Sequence, residues 1–291
     1  MRRDKTGFSE ILATNNKGGR AMNMLEINGI ELFVKYAFPP NNLGYCGPEK
    51  NNLFFELFMD IKEKREKGAE VKEELSEELR EMSKQFEAAV FYLKIIAEAS
   101  GIKDFFDLRV VEAYWLGNEL LNKVDFKILY KNLKKINPNA FLYDNRQIVS
   151  GAKEIIIKVK PHHTFHVLNI YMEKEFTKEN RRIILEAIDN CIIRQGTVTG
   201  VYTDKKIKDF CAVIHAKHLF LELDEYDNLI LEKEKTGKFF TIDKNIKVGD
   251  VVSLHYDYVC DKLTYSQKYN LEMWTKRHIE IFNGCRDNML L

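Results

Sequence analysis

Three histidines fall within five residues, at His162, His163 and His166. Imidazole nitrogens bind zinc, iron and copper, so this is the densest candidate for metal chemistry in the chain. The segment Glu154–Lys160 is β-branched and reads as a strand, and His163–Tyr171 reads as a second strand after Pro161. In a strand, side chains alternate faces, which sends His163 and His166 to opposite sides. His162 and His166 then share a face about 13 Å apart, at roughly 3.3 Å per residue. A second candidate is the loop Leu43-Gly44-Tyr45-Cys46-Gly47-Pro48, where glycines flank a thiol and let backbone approach a ligand closely. Tyr45 and Cys46 are its candidate pocket residues. A third is the helix end holding Glu112, Tyr114, Trp115 and Asn118, which could line a pocket or bind a partner. His215 and His218 read as residues of a solvated strand or turn. There is no Walker loop, dinucleotide fingerprint, His-Glu-x-x-His or serine nucleophile elbow.

The composition narrows the function classes. The chain has 291 residues, with 45 basic and 44 acidic side chains and a formal charge of +1. No net field favours nucleic acid or an anionic membrane, and an RNA-binding barrel lacks the basic stripe that phosphates need. No apolar run approaches the roughly 18 residues that span a bilayer. Five cysteines, an odd number without any Cys-x-x-Cys pair, suit reduced thiols in a cytoplasm better than a disulfide framework.

The elements that must position these residues change character along the chain. Residues 1–22 are polar and basic and read as a disordered arm. Residues 23–150 read as a helical domain. Helices are expected over 25–36, 51–66, 70–100, 107–121 and 125–135, with Gly101 as a C-cap. The loop 38–48, with three prolines and two glycines, is expected to lack regular structure. Near Gly151 the period changes from 3.6 to two. Residues 151–190 form a strand-and-helix connector, whose helix 177–190 is expected to bury Ile183, Ile184, Ala187 and Ile188. Residues 191–291 follow as short strands at 191–202, 209–216, 217–223, 228–234, 238–242 and 250–258, then a helix over about 264–282. This predicts an α+β protein: a helical domain, then a small OB-like β-barrel with a C-terminal helix.

The barrel carries a resemblance. It begins Asn190-Cys191-Ile192-Ile193-Arg194-Gln195-Gly196-Thr197-Val198 and closes on Lys247-Val248-Gly249-Asp250-Val251-Val252-Ser253-Leu254-His255. This resembles hydrogenase-maturation chaperones of the HypC/HupF type, over roughly residues 190–282. Those barrels begin with cysteine, reach Gly-x-Val five residues on, and end with Val-Gly-Asp-x-Val-x-x-His before a helix. By position, Cys191 matches the family's cysteine and His255 its histidine. The resemblance implies that the pair holds an iron–cyanide–carbonyl fragment. It also implies partners of the kind the family serves, a hydrogenase large subunit or the scaffold protein of the iron complex. Cys191 is internal rather than N-terminal, and Gln195 stands where that family usually has proline. Independently of the family, a thiolate and an imidazole suit iron or zinc, and nearby Arg194 is expected to lower the thiol pKa. The competing reading is a metalloenzyme in which Cys46, the 162–166 histidines and His255 converge between the domains. The whole chain also looks similar to a prokaryotic family of unknown function, through the 43–48 loop, Glu112–Asn118, Pro161–Val167 and Ser253–His255.

Overall fold

The computed structural model describes residues 24–49, 53–136, 159–171, 176–202 and 212–287. The expected arm at 1–22 and the expected strand at 154–160, but for its last two residues, lie outside them. The helical half comprises α1 (Met24–Asn42), α2 (Leu53–Glu66), α3 (Glu73–Lys84), α4 (Glu87–Ser100), α5 (Leu108–Trp115), α6 (Leu120–Lys123) and α7 (Phe126–Ile136). Then come α8 (His163–Tyr171) and α9 (Arg181–Cys191). The strands are β1 (Arg194–Tyr202), β2 (Ala212–Leu219), β3 (Glu222–Leu223), β4 (Leu229–Ile230), β5 (Glu234–Thr241), β6 (Val251–His255) and β7 (Tyr258–Lys262), followed by α10 (Tyr265–Asp287). The α+β architecture, helices first and a closed barrel with a C-terminal helix after, is the one the periodicity predicts.

Several boundaries differ from expectation. The helix expected over 70–100 is two, because Phe86 leaves helical geometry (φ −81°, ψ 63°). Its ring packs against Phe33 at 5.4 Å and Phe54 at 5.2 Å, so tertiary packing outweighs helix continuity there. Gly101 does cap α4, at φ 69°. The helix expected over 107–121 stops at Gly117, where φ is 84°. A Cβ on Gly117 would lie 2.1 Å from the Trp274 ring, so this glycine lets α10 pack closely. The segment 163–171 is helical, not a strand: His163, Thr164, Phe165, Val167 and Leu168 are buried, while Ile170 is 54% exposed on the outer side. In α9, Ile183 is 67% exposed, whereas Ile188 is buried, so the expected apolar stripe is only partly inward.

The loop expected over 38–48 begins later than its prolines suggest. α1 runs through Pro39 and Pro40 to Asn42. A proline in the last turns of a helix removes a donor and also leaves a helical carbonyl unclaimed. The turn then closes by Gly44 N–H to Asn41 O and Tyr45 N–H to Pro40 O, each 2.9 Å. Asn41 Nδ2 donates to Cys46 O at 2.9 Å and to Pro48 O at 2.8 Å, which folds the loop back on the helix.

The barrel order is β1-β2-β5-β7-β6, closing on β1. β1 and β6 are antiparallel, with Arg194 opposite Leu254 and Gly196 opposite Val252. Val198, Ile214, Phe239, Ile246, Val252, Leu254 and Val259 fill its inside. A larger apolar core runs from α1 and α4 through α5 and α8 to α10 and the outer wall of the barrel. α1 seats on β6 and β7 through Tyr36 Oη and Ser253 Oγ at 2.8 Å and through the Lys35–Asp261 ion pair at 3.0 Å. No helix among the described residues is long and apolar enough to cross a membrane.

Candidate metal centre at the helix–barrel seam

His255 ends β6, is fully buried, and faces the helices. Its Nδ1 lies 2.7 Å from the Tyr36 carbonyl, an acceptor only, so Nδ1 carries the hydrogen. In an unbroken helix the Tyr36 carbonyl accepts from the N–H of residue 40. Residue 40 is proline and has none, so the carbonyl is free for His255. Neutral His255 is left with an Nε2 lone pair, buried beside the Cys191 carbonyl and without a hydrogen-bond donor. Burial pushes the His255 pKa down to about 3, against the opposing pull of the Tyr36 and Cys191 carbonyls.

Cys191 is the last residue of α9, three residues before β1. It comes to the end of β6 because β1 and β6 pair along the closing seam. Its thiol receives a hydrogen bond from the Tyr256 hydroxyl, which favours the thiolate, yet burial dominates and raises the pKa to about 11. The expected acidifying effect of Arg194 is absent. That guanidinium is committed to Asp189 at 3.3 Å and to the Tyr256 carbonyl at 2.9 Å. In the metal-free chain Cys191 is therefore a thiol at neutral pH. Tyr256 itself sits at φ 51°, an unusual conformation for a non-glycine residue, in the β6–β7 turn. The Arg194 bond and its own N–H to Asn190 O, at 3.0 Å, hold it there.

His163 opens α8 and supplies the third donor. Ligand atoms of His163, Cys191 and His255 all lie within 4.8 Å of one another. The His163 ring is 5.3 Å from His255 and 4.5 Å from Trp115, which walls the site. His163 Nε2 lies 2.9 Å from the Cys191 carbonyl and Nδ1 lies 3.1 Å from Tyr114 Oη. Because α8 is a helix, His163 and His166 share a face, contrary to the strand reading, and His166 Nδ1 meets the same Tyr114 hydroxyl at 2.7 Å.

Of the remaining sequence candidates, some lie elsewhere and some border the cluster. His162 turns into the helical core, where its ring stacks on His278 at 5.5 Å and its Nδ1 accepts from Thr164 N–H at 3.2 Å. Cys46 lies on an exposed loop and outside the three-donor cluster, but its thiol is near Cys191. Burial and that thiol push its pKa up to about 12, and Tyr45 beside it stacks on Tyr256 at 5.4 Å. Glu112 and Asn118 brace helices and do not reach the cluster. Gln267 Nε2 donates to Glu112 at 2.7 Å, and Asn118 donates to Arg109 O at 2.8 Å. His218, expected to be solvated, is buried at 2% exposure and donates to the Leu219 carbonyl. Tyr36, Pro40 and Tyr256 were not anticipated. Tyr256 follows His255 directly, but nothing in the sequence ties Tyr36 or Pro40 to a residue more than two hundred positions away.

Residues 25–288 match the model of DUF6390, a family of unknown function. The chain belongs to that family. No curated protein and no solved structure matches the chain. Family membership accounts for the whole-chain resemblance seen in the sequence. The likeness to hydrogenase-maturation chaperones rests on the residue pattern of the barrel alone.

Proposed function

We propose that the protein handles a metal, holding a zinc- or iron-class ion between His163, Cys191 and His255. The observation that carries this reading is the bare Nε2 lone pair of His255. A buried acceptor left unpaired costs about 1–3 kcal/mol, and a cation at that point, shared with a thiolate and a second imidazole, removes the cost. Two imidazoles and one thiolate suit borderline metals such as zinc and iron(II). Three protein donors leave further positions on the metal open. Those positions suit a cargo role, in which an iron fragment carrying cyanide and carbonyl is held and passed to a partner such as a hydrogenase large subunit or its scaffold protein. A second reading, a metalloenzyme at the same seam, is favoured by the hydrogen-bond chain from His163 through Tyr114 to His166.

The test is a cobalt(II) titration of the anaerobic full-length chain. A thiolate-to-cobalt charge-transfer band is expected, lost in Cys191→Ser because a hydroxyl is a far poorer soft-metal donor. Absence of binding in the parent chain, or an unchanged spectrum in Cys191→Ser, sinks the reading. Turnover of small substrates by the loaded chain would favour the enzyme reading, and metal transfer to a partner the cargo reading.

A further inference from the structure

The hydrogen bonds around His163 fix where every proton sits. His163 Nε2 faces the Cys191 carbonyl at 2.9 Å, so Nε2 carries the hydrogen. The neutral ring then offers a bare Nδ1 to Tyr114 at 3.1 Å, and the Tyr114 hydroxyl donates to it. That hydroxyl has one hydrogen, so at its 2.7 Å contact with His166 it accepts, and His166 carries its hydrogen on Nδ1. The chain therefore runs from His166 to Tyr114 to His163 to the Cys191 carbonyl. Tyr114 is fully buried and His166 is half-buried, so the chain leads from the seam toward the surface.

Metal ligation through the Cys191 side of His163 needs a lone pair on Nε2, where the metal-free chain has a hydrogen. We propose that Tyr114 and His166 are positioning residues that let His163 become a ligand by reversing the direction of this chain. The inference rests on the metal-binding reading. On loading, the Nε2 hydrogen of His163 leaves to solvent and the Cys191 carbonyl, 2.9 Å from that nitrogen, turns aside to admit the metal. His163 Nδ1 takes the hydroxyl hydrogen of Tyr114, Tyr114 takes the Nδ1 hydrogen of His166, and His166 takes one from solvent on Nε2. The chain then runs from His163 to Tyr114 to His166. One proton leaves at one end and one enters at the other, so no member changes charge. Cys191 alone releases a net proton. A metal-ligating histidine is normally held by a bond from its other nitrogen, and in the reversed chain Tyr114 accepts that bond.

The test reads tautomers directly, by nitrogen-15 NMR of the histidines in the full chain with and without zinc. The expected result is that His163 changes from the Nε2–H to the Nδ1–H form and His166 from Nδ1–H to Nε2–H. Unchanged tautomers at His166 in a chain that binds zinc overturn the relay alone. A parent chain that binds no zinc overturns both the relay and the metal reading. Tyr114→Phe keeps the ring and breaks the chain. Its zinc affinity is expected to fall about 10–100-fold with the thiolate–cobalt band retained, and parental affinity overturns the proposal. Because Tyr114 is buried, His166 supplies a second pair of variants. His166→Leu fills the space without relaying and is expected to weaken zinc binding. His166→Gln, whose amide can either donate or accept, is expected to recover part of the loss. Equal affinities for the two variants overturn the proposal.

Discussion

His162 and His163 are neighbours in sequence and both are buried, at 0% and 5% exposure, yet they enter two different regions. His162 joins a core pair with His278, between α8 and α10. Its Nδ1 accepts from Thr164 N–H, so its Nε2 carries the hydrogen, and the adjacent Leu116 carbonyl favours that hydrogen without forming a well-aligned bond. His278 donates Nδ1–H to Trp274 O at 2.8 Å and accepts at Nε2 from Lys160 N–H at 3.3 Å. At the seam, His255 instead presents a lone pair, beside a thiol and a second imidazole. His162 holds an N–H beside a carbonyl, whereas His255 holds a lone pair beside the Cys191 carbonyl and thiol; these are opposite demands, and only the second can be met by a cation. Burial and clustering of histidines alone do not separate them; the tautomer does.

The strongest way to break this comparison is to delete a ring from each region. His255→Phe is expected to lower zinc affinity about 100-fold or more, since a ligand is lost. His162→Phe is expected to leave zinc affinity within about threefold and to change stability by about 1–3 kcal/mol. Calorimetric zinc titration with a competing chelator and thermal unfolding check the pair. Equal zinc losses from both variants would erase the distinction.

Acid is expected to act on both regions together. Burial lowers the pKa of His162 and His163 well below the ordinary value, that of His166 to about 4, and those of His255 and His278 to about 3. Between those values and the ordinary 6.5, the unfolded chain binds protons that the folded chain refuses. Stability is therefore full above pH 6.5 and falls as pH falls through it. For the metal-free chain, Tm is expected to be on the order of 10 °C lower at pH 5 than at pH 7. His162→Phe should flatten that dependence by removing one site. A Tm independent of pH over this range would show that the rings are already charged or hydrated.

The smallest expected effect tests how His255 is aimed. Pro40→Ala restores an N–H that competes for the Tyr36 carbonyl, and zinc affinity is expected to fall about threefold as His255 loosens. Pro39→Ala frees a donor for Lys35 O instead and is expected to change nothing. Identical behaviour of the two variants would show that the Tyr36 carbonyl serves both donors with its two lone pairs.

Much of the fold was legible because local patterns dictate it. The three- and four-residue apolar spacing of Leu75, Leu79 and Met82 marks a helix whatever it packs on, and the turn residues after Gly151 separate short strands. Errors fell where packing overrode the local signal. Phe86 breaks a long helix to reach Phe33 and Phe54, and 163–171 reads as a strand because its exposed side carries Ile170 while its buried side holds polar His163 and Thr164, so no amphipathic period shows. Two strands expected on either side of residue 216 are one, β2, because pairing with β5 continues through Ala216 and Lys217. Cys285 shows the same limit: near the C-terminus in sequence, it is 2% exposed in the core.

By itself the sequence determined the residue types able to bind a metal, the order of helices, barrel and final helix, and the closing seam that carries Cys191 and His255. Only the tertiary structure decided which of three clustered histidines meets them. That choice depends on whether 163–171 coils or extends, and on a proline whose missing N–H leaves one carbonyl free to orient His255. Both are relations between residues far apart in the chain, and a one-dimensional pattern does not encode them until the core has packed.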